Sequence, residues 1–298
     1  MKLLLIGMNG QVGFELRRAL APLGEVVAVD YPDCDLASAG SIRQTIGAAK
    51  PDVIINAAAY TAVDKAEAEP ELARAINADA PGIIGAEARK TGARVIHYST
   101  DYVYDGGKAA AYREDDPTGP LCVYGATKRD GDAALAASGA EHFIFRTSWV
   151  FGAHGGNFVK TVLRLGAERD ALNVVADQIG APTSAALLAD VTAQVLGQLR
   201  WREVGAAPSG VYHLTAGGET SWHGFARAIL AGGVSRGLTL RLAPDAVRAI
   251  PASEYPLPAR RPANSRLDTG RLQETFGLAL PHWQAGLDHV LDQISRKS

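Results

Sequence analysis

A short apolar segment followed at once by a glycine-rich turn constrains the fold more than any other feature. Lys2–Ile6 is an uninterrupted apolar run, as expected of a strand that is buried on both faces. The next seven residues read GMNGQVG, with glycines spaced as GxxGxxG, and they lead into a helical pattern over about 11–21. This order of strand, glycine turn and helix predicts the start of a parallel βαβ unit.

Strands and helices alternate through the first half of the chain. Apolar runs predict further strands at 26–29, 53–55, 94–99 and 142–146. Helical patterns fill the segments between them, including 41–50, a long helix over 70–90, and 124–137. We therefore predict an α/β fold with a doubly wound parallel sheet of the Rossmann type.

After residue 149 the alternation weakens and the segments become less regular. We predict a short strand at 173–176, a helix over 183–199, a strand at 210–214 and a last helix over 282–294. Residues 1–150 are predicted to form a dinucleotide-binding domain, with a returning segment near 184–213. Residues 151–183 and 214–298 are predicted to form a smaller α/β substrate-binding lobe.

Charge and cysteine usage exclude several classes of function. The 298 residues carry 30 Lys and Arg against 32 Asp and Glu, so a nucleic-acid partner is not expected. Cys34 and Cys122 are the two cysteines, as is typical of a reduced cytoplasmic protein. The first apolar run ends at Gly7, too short for a signal core or a membrane span, and no later segment supplies a long uncharged run. We expect a cytoplasmic protein without a membrane partner.

The glycine turn is a candidate cofactor site. Gly7, Gly10 and Gly13 would let the backbone approach a pyrophosphate at the helix N-terminus, although a tight turn alone also needs glycine. Asp30 ends the second strand about twenty residues on, where a carboxylate accepts from the adenosine ribose and repels a 2′-phosphate. That acid favours NADH, although it could instead cap a turn. Asp35 and Leu36 could flank the adenine.

Tyr124 and Lys128 stand four residues apart on a predicted helix and therefore share one face. A nearby ammonium would lower the phenol pKa and make Tyr124 a usable proton donor. The pattern also fits a surface tyrosine beside a solvated lysine. A hydroxyl from Ser99 or Thr100, at the carboxyl edge of the sheet, could bind the same substrate oxygen or merely close a turn.

With these residues the chain resembles the extended short-chain dehydrogenase/reductases and, within them, the dTDP-4-dehydrorhamnose reductase family. The glycine turn and the YxxxK pair mark the superfamily. Strings typical of the narrower family are NAAAYTAVDKAE from residue 56, HYSTDYV from 97, VYGATK from 123, FRTSWVF from 145, DQIGAPT from 177 and RPANSRLD from 261.

This resemblance implies NADPH- or NADH-dependent reduction of the 4-keto group of dTDP-4-dehydro-6-deoxy-L-mannose to dTDP-L-rhamnose, the last step of dTDP-rhamnose synthesis. Tyr124 would protonate the alkoxide, Lys128 would hold the nicotinamide ribose and Thr100 would bind near the reacting oxygen. The implied cofactor-binding residues are Gly7, Gly10, Gln11, Val12, Gly13, Asp30, Asp35, Leu36, Ala59, Tyr60, Thr61, Tyr98, Tyr124 and Lys128. The implied substrate-binding residues are Thr100, Asp101, Trp149, Arg261 and Asn264.

Simpler structural roles remain open for three of these residues. Trp149 could be a core aromatic at the seam between the two lobes. Arg261 could pair with a surface acid instead of a diphosphate. Asn264 could form a turn in the Pro-rich loop.

Other functions also remain open. Another nucleotide-sugar epimerase or dehydratase would share the fold, but such dehydratases carry an acid pair after the threonine, whereas Tyr102 follows Asp101 here. A non-catalytic, cofactor-bound regulatory subunit should have lost the Tyr124–Lys128 pair. A monomer or a homodimer acting on a small nucleotide sugar is expected.

The resemblance also raises the question of magnesium. Some family members are dimers around a magnesium ion that glutamates hold. Glu15 fits that pattern, but the other two positions fall on Ala186 and Gln293, which offer no carboxylate. We therefore expect no metal and no metal-bridged dimer.

Overall fold

The computed structural model describes residues 1–204 and 208–296. Its strands, in chain order, are β1 Lys2–Ile6, β2 Glu25–Val29, β3 Val53–Asn56, β4 Arg94–Thr100, β5 His142–Thr147, β6 Val150–Phe151, β7 Leu172–Val175, β8 Ile179–Gly180, β9 Thr183–Ser184, β10 Gly210–His213, β11 Thr220–Ser221, β12 Val247–Ile250 and β13 Asn264–Ser265.

The α-helices are α1 Gln11–Leu20, α2 Ala39–Ala49, α3 Val63–Ala66, α4 Pro70–Arg74, α5 Ala80–Thr91, α6 Val123–Ala137, α7 Phe158–Glu168, α8 Ala185–Leu199, α9 Trp222–Ser235, α10 Gly270–Phe276 and α11 Trp283–Ser295. A π-helical turn, Ala75–Asp79, joins α4 to α5. Short 3-10 turns lie at Ala21–Leu23, Asp101–Val103, Pro244–Ala246 and Ala252–Glu254. In the described ranges, no helix is both long and apolar enough to span a membrane.

Within residues 1–204 and 208–296, the central sheet has six strands in the order β2-β1-β3-β4-β5-β10, and every neighbouring pair is parallel. The chain leaves β1 toward β2 and then returns to the other side of β1 to form β3. This reversal opens a crevice at the carboxyl ends of β1 and β3, where open α/β sheets bind ligands. The predicted α/β fold with a doubly wound parallel sheet is confirmed.

Alternate side chains of β1 build the two core layers. Leu3 and Leu5 pack with residues of α1 and α8 on one face. Leu4 and Ile6 pack with residues of α2, α5 and α6 on the other face. All four side chains are buried, as both faces of a parallel sheet require.

The chain after β5 divides between the large sheet and a second core. Helix α8 packs against α1, and β10 pairs with β5 at the edge of the large sheet. Helices α7, α9 and α11 form a separate apolar cluster that includes Val159, Phe225 and Leu287. The domain boundaries given above stay a prediction, and their ranges include 205–207 and 297–298, which lie outside the described residues.

The helix predicted over 70–90 is interrupted. Pro81 has no N–H to donate to the preceding turn, and the wider π turn lies just before it. The buried Asn77 of that turn binds the backbone of Tyr60 through both ends of its amide, at 2.9 and 3.0 Å. A Cβ on Gly131 would lie 2.0 Å from the Asn77 carbonyl oxygen, so α6 approaches this turn closely. The interruption depends on packing that a local pattern does not reveal.

Candidate active site

The three glycines of the first turn do different things. Gly7 has a φ of +93°, and a Cβ there would lie 2.6 Å from the Ala58 nitrogen. A Cβ on Gly13 would lie 1.9 Å from the Gly7 carbonyl oxygen. Among the described residues, a Cβ on Gly10 would meet only that same oxygen, at 3.5 Å, so packing against them does not require a glycine there. Gly10 is also the N-cap of α1 and supplies no side-chain cap, which leaves the helix N-terminus suited to an anion.

Gln11 and Val12 begin α1 directly behind this opening. The Gln11 side-chain oxygen accepts from Asn157 at 2.9 Å, and Val12 packs partly buried against the core. The Asp30 carboxylate accepts the Asn9 and Tyr31 backbone N–H groups, each at 2.8 Å. These bonds hold the acid at the mouth of the crevice, with further lone pairs free to accept a hydroxyl.

The two residues predicted to flank adenine are placed differently. Leu36 is buried in the core layer under α2, and Asp35 closes its own turn by accepting from the Ala37 N–H at 2.9 Å. Beyond β3, Ala59 and Tyr60 are half-buried and Thr61 is exposed. The Tyr60 hydroxyl donates to Glu69 at 2.6 Å.

Thr100 and Tyr124 meet at the carboxyl end of β4. Burial raises the pKa of Tyr124, and the neighbouring Thr100 hydroxyl opposes that rise. The Ser99 hydroxyl instead donates to Asp132 at 3.0 Å. Of the two hydroxyls considered from the sequence, Thr100 is therefore the one beside Tyr124.

Asp101 is buried beside this pair. The Thr100 hydroxyl donates to Asp101 Oδ1 at 3.0 Å, while Asp101 Oδ2 has no hydrogen-bond partner among the described residues. Burial raises the pKa of Asp101 to about 6, and the Thr100 hydroxyl opposes that rise. A buried carboxylate oxygen without a partner is costly, so this atom is a ready acceptor for a ligand hydroxyl.

Lys128 does not act on Tyr124 as the sequence suggested. Its Nζ donates to the Tyr98 carbonyl oxygen at 2.6 Å and lies 3.1 Å from His97 Nε2. Burial lowers the pKa of Lys128 to about 8, and Asp132 opposes that change. The prediction of a lowered Tyr124 pKa is wrong for this structure, because burial dominates and Asp101 adds to the rise. The Tyr98 ring itself is buried, with its hydroxyl 2.6 Å from Thr192 Oγ1.

A buried ionic network under the site was missed from the sequence. Arg146 donates to Asp132 at 3.0 Å and to the Tyr104 hydroxyl at 2.8 Å. Asp132 lies four residues after Lys128, one helical turn along the same face of α6. That spacing was the available signal for an acid near the lysine.

Trp149 has an unusual backbone conformation. Its φ is +49°, in the left-handed region that bulky residues rarely adopt. Its ring stacks on Trp222 with centroids 3.6 Å apart, and a Cβ on Gly180 would lie 2.7 Å from Trp149 Cε2. A strained backbone conformation of this kind persists only where the surrounding structure fixes it, and such residues are often found at functional sites. Sequence reasoning missed Trp222 because it lies 73 positions away.

Arg261 and Asn264 are engaged with the chain itself. The two terminal nitrogens of Arg261, Nη1 and Nη2, donate to Asp64 at 3.1 and 2.8 Å. The Asn264 amide donates to the carbonyls of Lys108 and Ala110 and accepts from Arg266. These are the simpler roles considered above, and the substrate role of both residues stays a prediction.

The three positions aligned with the magnesium ligands lie on different helices. Glu15 is on α1, Ala186 on α8 and Gln293 on α11. In the part of the chain that the structure describes, no group of three or more His, Cys, Asp or Glu side chains could hold a metal ion. Cys34 and Cys122 are both buried and free.

Comparison with known proteins identifies the family of this chain. Residues 1–296 match the family model described as RmlD substrate binding domain. A dTDP-4-dehydrorhamnose reductase of Burkholderia thailandensis is 49% identical over 95% of this chain and 96% of its own. One from Escherichia coli K12 is 47% identical over 99% and 98%.

Solved structures of the same name share the fold. The Clostridium acetobutylicum protein has a TM-score of 0.90 at 36% identity and covers 99% of both chains. The Bacillus anthracis protein, solved in complex with NADP, has a TM-score of 0.88 at 32% identity and covers 98% of this chain and 99% of its own. The chain therefore belongs to the RmlD substrate binding domain family.

Proposed function

We propose that this protein is a dTDP-4-dehydrorhamnose reductase that reduces the 4-keto group of dTDP-4-dehydro-6-deoxy-L-mannose with NADPH or NADH. The observation that carries the proposal is that Tyr124 lies beside Thr100 at the carboxyl end of β4, on the same edge of the sheet as the glycine turn that follows β1. Relatives that match nearly the whole chain carry this name. We place the reaction in the cytoplasm, in keeping with two free cysteines in a chain of this length.

The residues of the crevice fit a dinucleotide. The open position at Gly10 and the N-terminus of α1 suit a pyrophosphate, and Asp30 suits a ribose hydroxyl. Ala59, Tyr60 and Thr61 follow β3 at the same edge of the sheet. When bound, the reduced nicotinamide supplies the hydride for the keto carbon.

Tyr124 is suited to give up a proton late in the reaction. Its raised pKa keeps the phenol protonated in the resting protein, so the proton is present when an alkoxide develops beside it. The Thr100 hydroxyl lies beside that phenol, and Asp101 Oδ2 has no partner among the described residues, so it could accept from a sugar hydroxyl. Trp149 would offer a flat apolar surface to the nucleotide sugar.

The test is a spectrophotometric assay of NADH and NADPH oxidation that depends on the dTDP-keto sugar. We expect Tyr124→Phe to reduce turnover by about 10²–10⁴-fold, the range for loss of a general acid. The matched control is Tyr212→Phe, which removes a buried hydroxyl from β10 at the far edge of the sheet and should keep turnover.

Two outcomes would contradict the proposal. Full turnover in Tyr124→Phe would show that this phenol is not the proton donor. A wild-type protein that transforms the sugar without net oxidation of the cofactor would be an epimerase or a dehydratase instead.

A further inference from the structure

His97 faces Lys128 across a fully buried contact. His97 lies on β4 and Lys128 on α6, and each is 1% exposed. The strand alternates, so Tyr98 points its ring to the opposite face, toward Thr192 of α8. The Lys128 amine therefore has two close partners on β4: the Tyr98 carbonyl at 2.6 Å and His97 Nε2 at 3.1 Å.

Asn56 fixes which His97 nitrogen carries the proton. The Ala58 backbone N–H donates to Asn56 Oδ1 at 3.2 Å, which sets the orientation of the amide. Asn56 Nδ2 then faces His97 Nδ1 at 3.2 Å and must be the donor of that pair. In a neutral imidazole the remaining proton then lies on Nε2, directed at Lys128.

This arrangement opposes a charge on Lys128. An ammonium has three donors and no acceptor, so it would place an N–H against the His97 Nε2–H. A neutral amine, in contrast, accepts from Nε2–H and still donates to the Tyr98 carbonyl. We propose that His97 is a positioning residue that holds the Lys128 amine against β4 and sets its charge.

The charged groups around Lys128 also affect its pKa. Asp132, four residues along α6, raises the pKa of Lys128, while burial lowers it to about 8. Arg146 of β5 is paired with Asp132 and moderates its effect. His97 cannot take the proton itself, because burial and Lys128 hold its pKa well below the usual range. On the proposed function, the charge on Lys128 would govern its contact with the nicotinamide ribose.

The direct test is a pH titration of Lys128 in the cofactor-free protein by NMR of ¹³C-labelled lysine side chains. Lysines are few in this chain, and the Lys128→Met variant identifies the signal. We expect a wild-type midpoint near the value of about 8 given above. His97→Gln places an amide oxygen near the amine, so the midpoint should rise by about one pH unit, as expected when a charged donor gains an acceptor.

Thr192→Val is the matched control, since it removes a buried hydrogen bond on the opposite face of β4. It should leave the midpoint unchanged. Asn56→Ala is a second route, because His97 is then free to carry its proton on Nδ1 and to accept from Lys128, which again raises the midpoint. Unchanged or lowered midpoints in a folded His97→Gln protein would overturn the inference.

Turnover with the dTDP-keto sugar is measured in parallel and separates the two proposals. Turnover is recorded as a function of pH. The limb of that pH profile that reports Lys128 should move with the NMR midpoint in His97→Gln and stay in place in Thr192→Val. An inactive wild-type protein with the expected NMR shift would refute the proposed function only. An active one without the shift would refute the role of His97 only.

Discussion

Alanine at Gly10 and at Gly13 separates ligand binding from folding within one turn. The two glycines lie three residues apart, yet only Gly13 is packed against backbone. A Cβ there would lie 1.9 Å from the Gly7 oxygen and 2.7 Å from its carbonyl carbon, so the strand-to-helix turn would have to move. At Gly10 the nearest atom lies 3.5 Å away, an ordinary contact, and the backbone φ of −69° suits alanine.

These distances set the expected magnitudes. Gly13→Ala should cost about 1–3 kcal/mol or more in the free energy of unfolding, as overpacking does, and lower Tm by several degrees. Gly10→Ala should stay within about 0.5 kcal/mol of the wild type. Its methyl group would stand where a pyrophosphate approaches, so we expect NADH affinity to fall about 10- to 100-fold, the loss of one charge-assisted hydrogen bond.

Thermal unfolding and an NADH titration followed by nicotinamide fluorescence measure the two effects separately. Gly10→Ala should lower the NADH affinity and leave Tm unchanged. Gly13→Ala should lower Tm. A stable Gly10→Ala protein that binds NADH as tightly as the wild type would refute the reasoning, because the pyrophosphate would then lie elsewhere.

Three further changes test other parts of the site and the core. Asp30→Ser should shift the ratio of NADPH to NADH affinity about tenfold toward NADPH, since a carboxylate repels a 2′-phosphate; an unchanged ratio would contradict this. Because the pKa of Asp101 is about 6, wild-type kcat/KM for the sugar should fall as pH drops through that value and the acceptor is protonated. Asp101→Asn should lower kcat/KM and remove that limb, whereas a retained limb would assign it to another group. Glu141→Ala removes the carboxylate partner of the buried Arg94, which then keeps only backbone carbonyl acceptors, and should cost about 3–5 kcal/mol in urea unfolding; a loss below about 1 kcal/mol would contradict this.

The predictable features of this protein are those that a local pattern dictates. The run at Lys2–Ile6, the GxxGxxG turn and the Tyr124–Lys128 spacing each depend on residues close in sequence. Their period and glycine placement predicted the strand, the turn and the shared helical face. Asp30 was located in the same way, by its distance from the turn.

Features that depend on distant partners could not be predicted. Lys128 turns to the Tyr98 carbonyl because β4 passes beside α6, and no pattern in either segment indicates that contact. Trp149 adopts a positive φ against Trp222, which begins α9. Asn264 binds the loop at 108–110, so its amide is used within the chain.

The most direct test of the account follows a labelled hydride. The protein is incubated with the dTDP-keto sugar and NADH that carries deuterium at the transferable C4 position, and the product is examined by NMR. We predict one deuterium on C4 of the deoxysugar for each NADH oxidised, and a loss of this transfer in Tyr124→Phe. A transformed sugar without deuterium and without net NADH oxidation would contradict the reductase assignment.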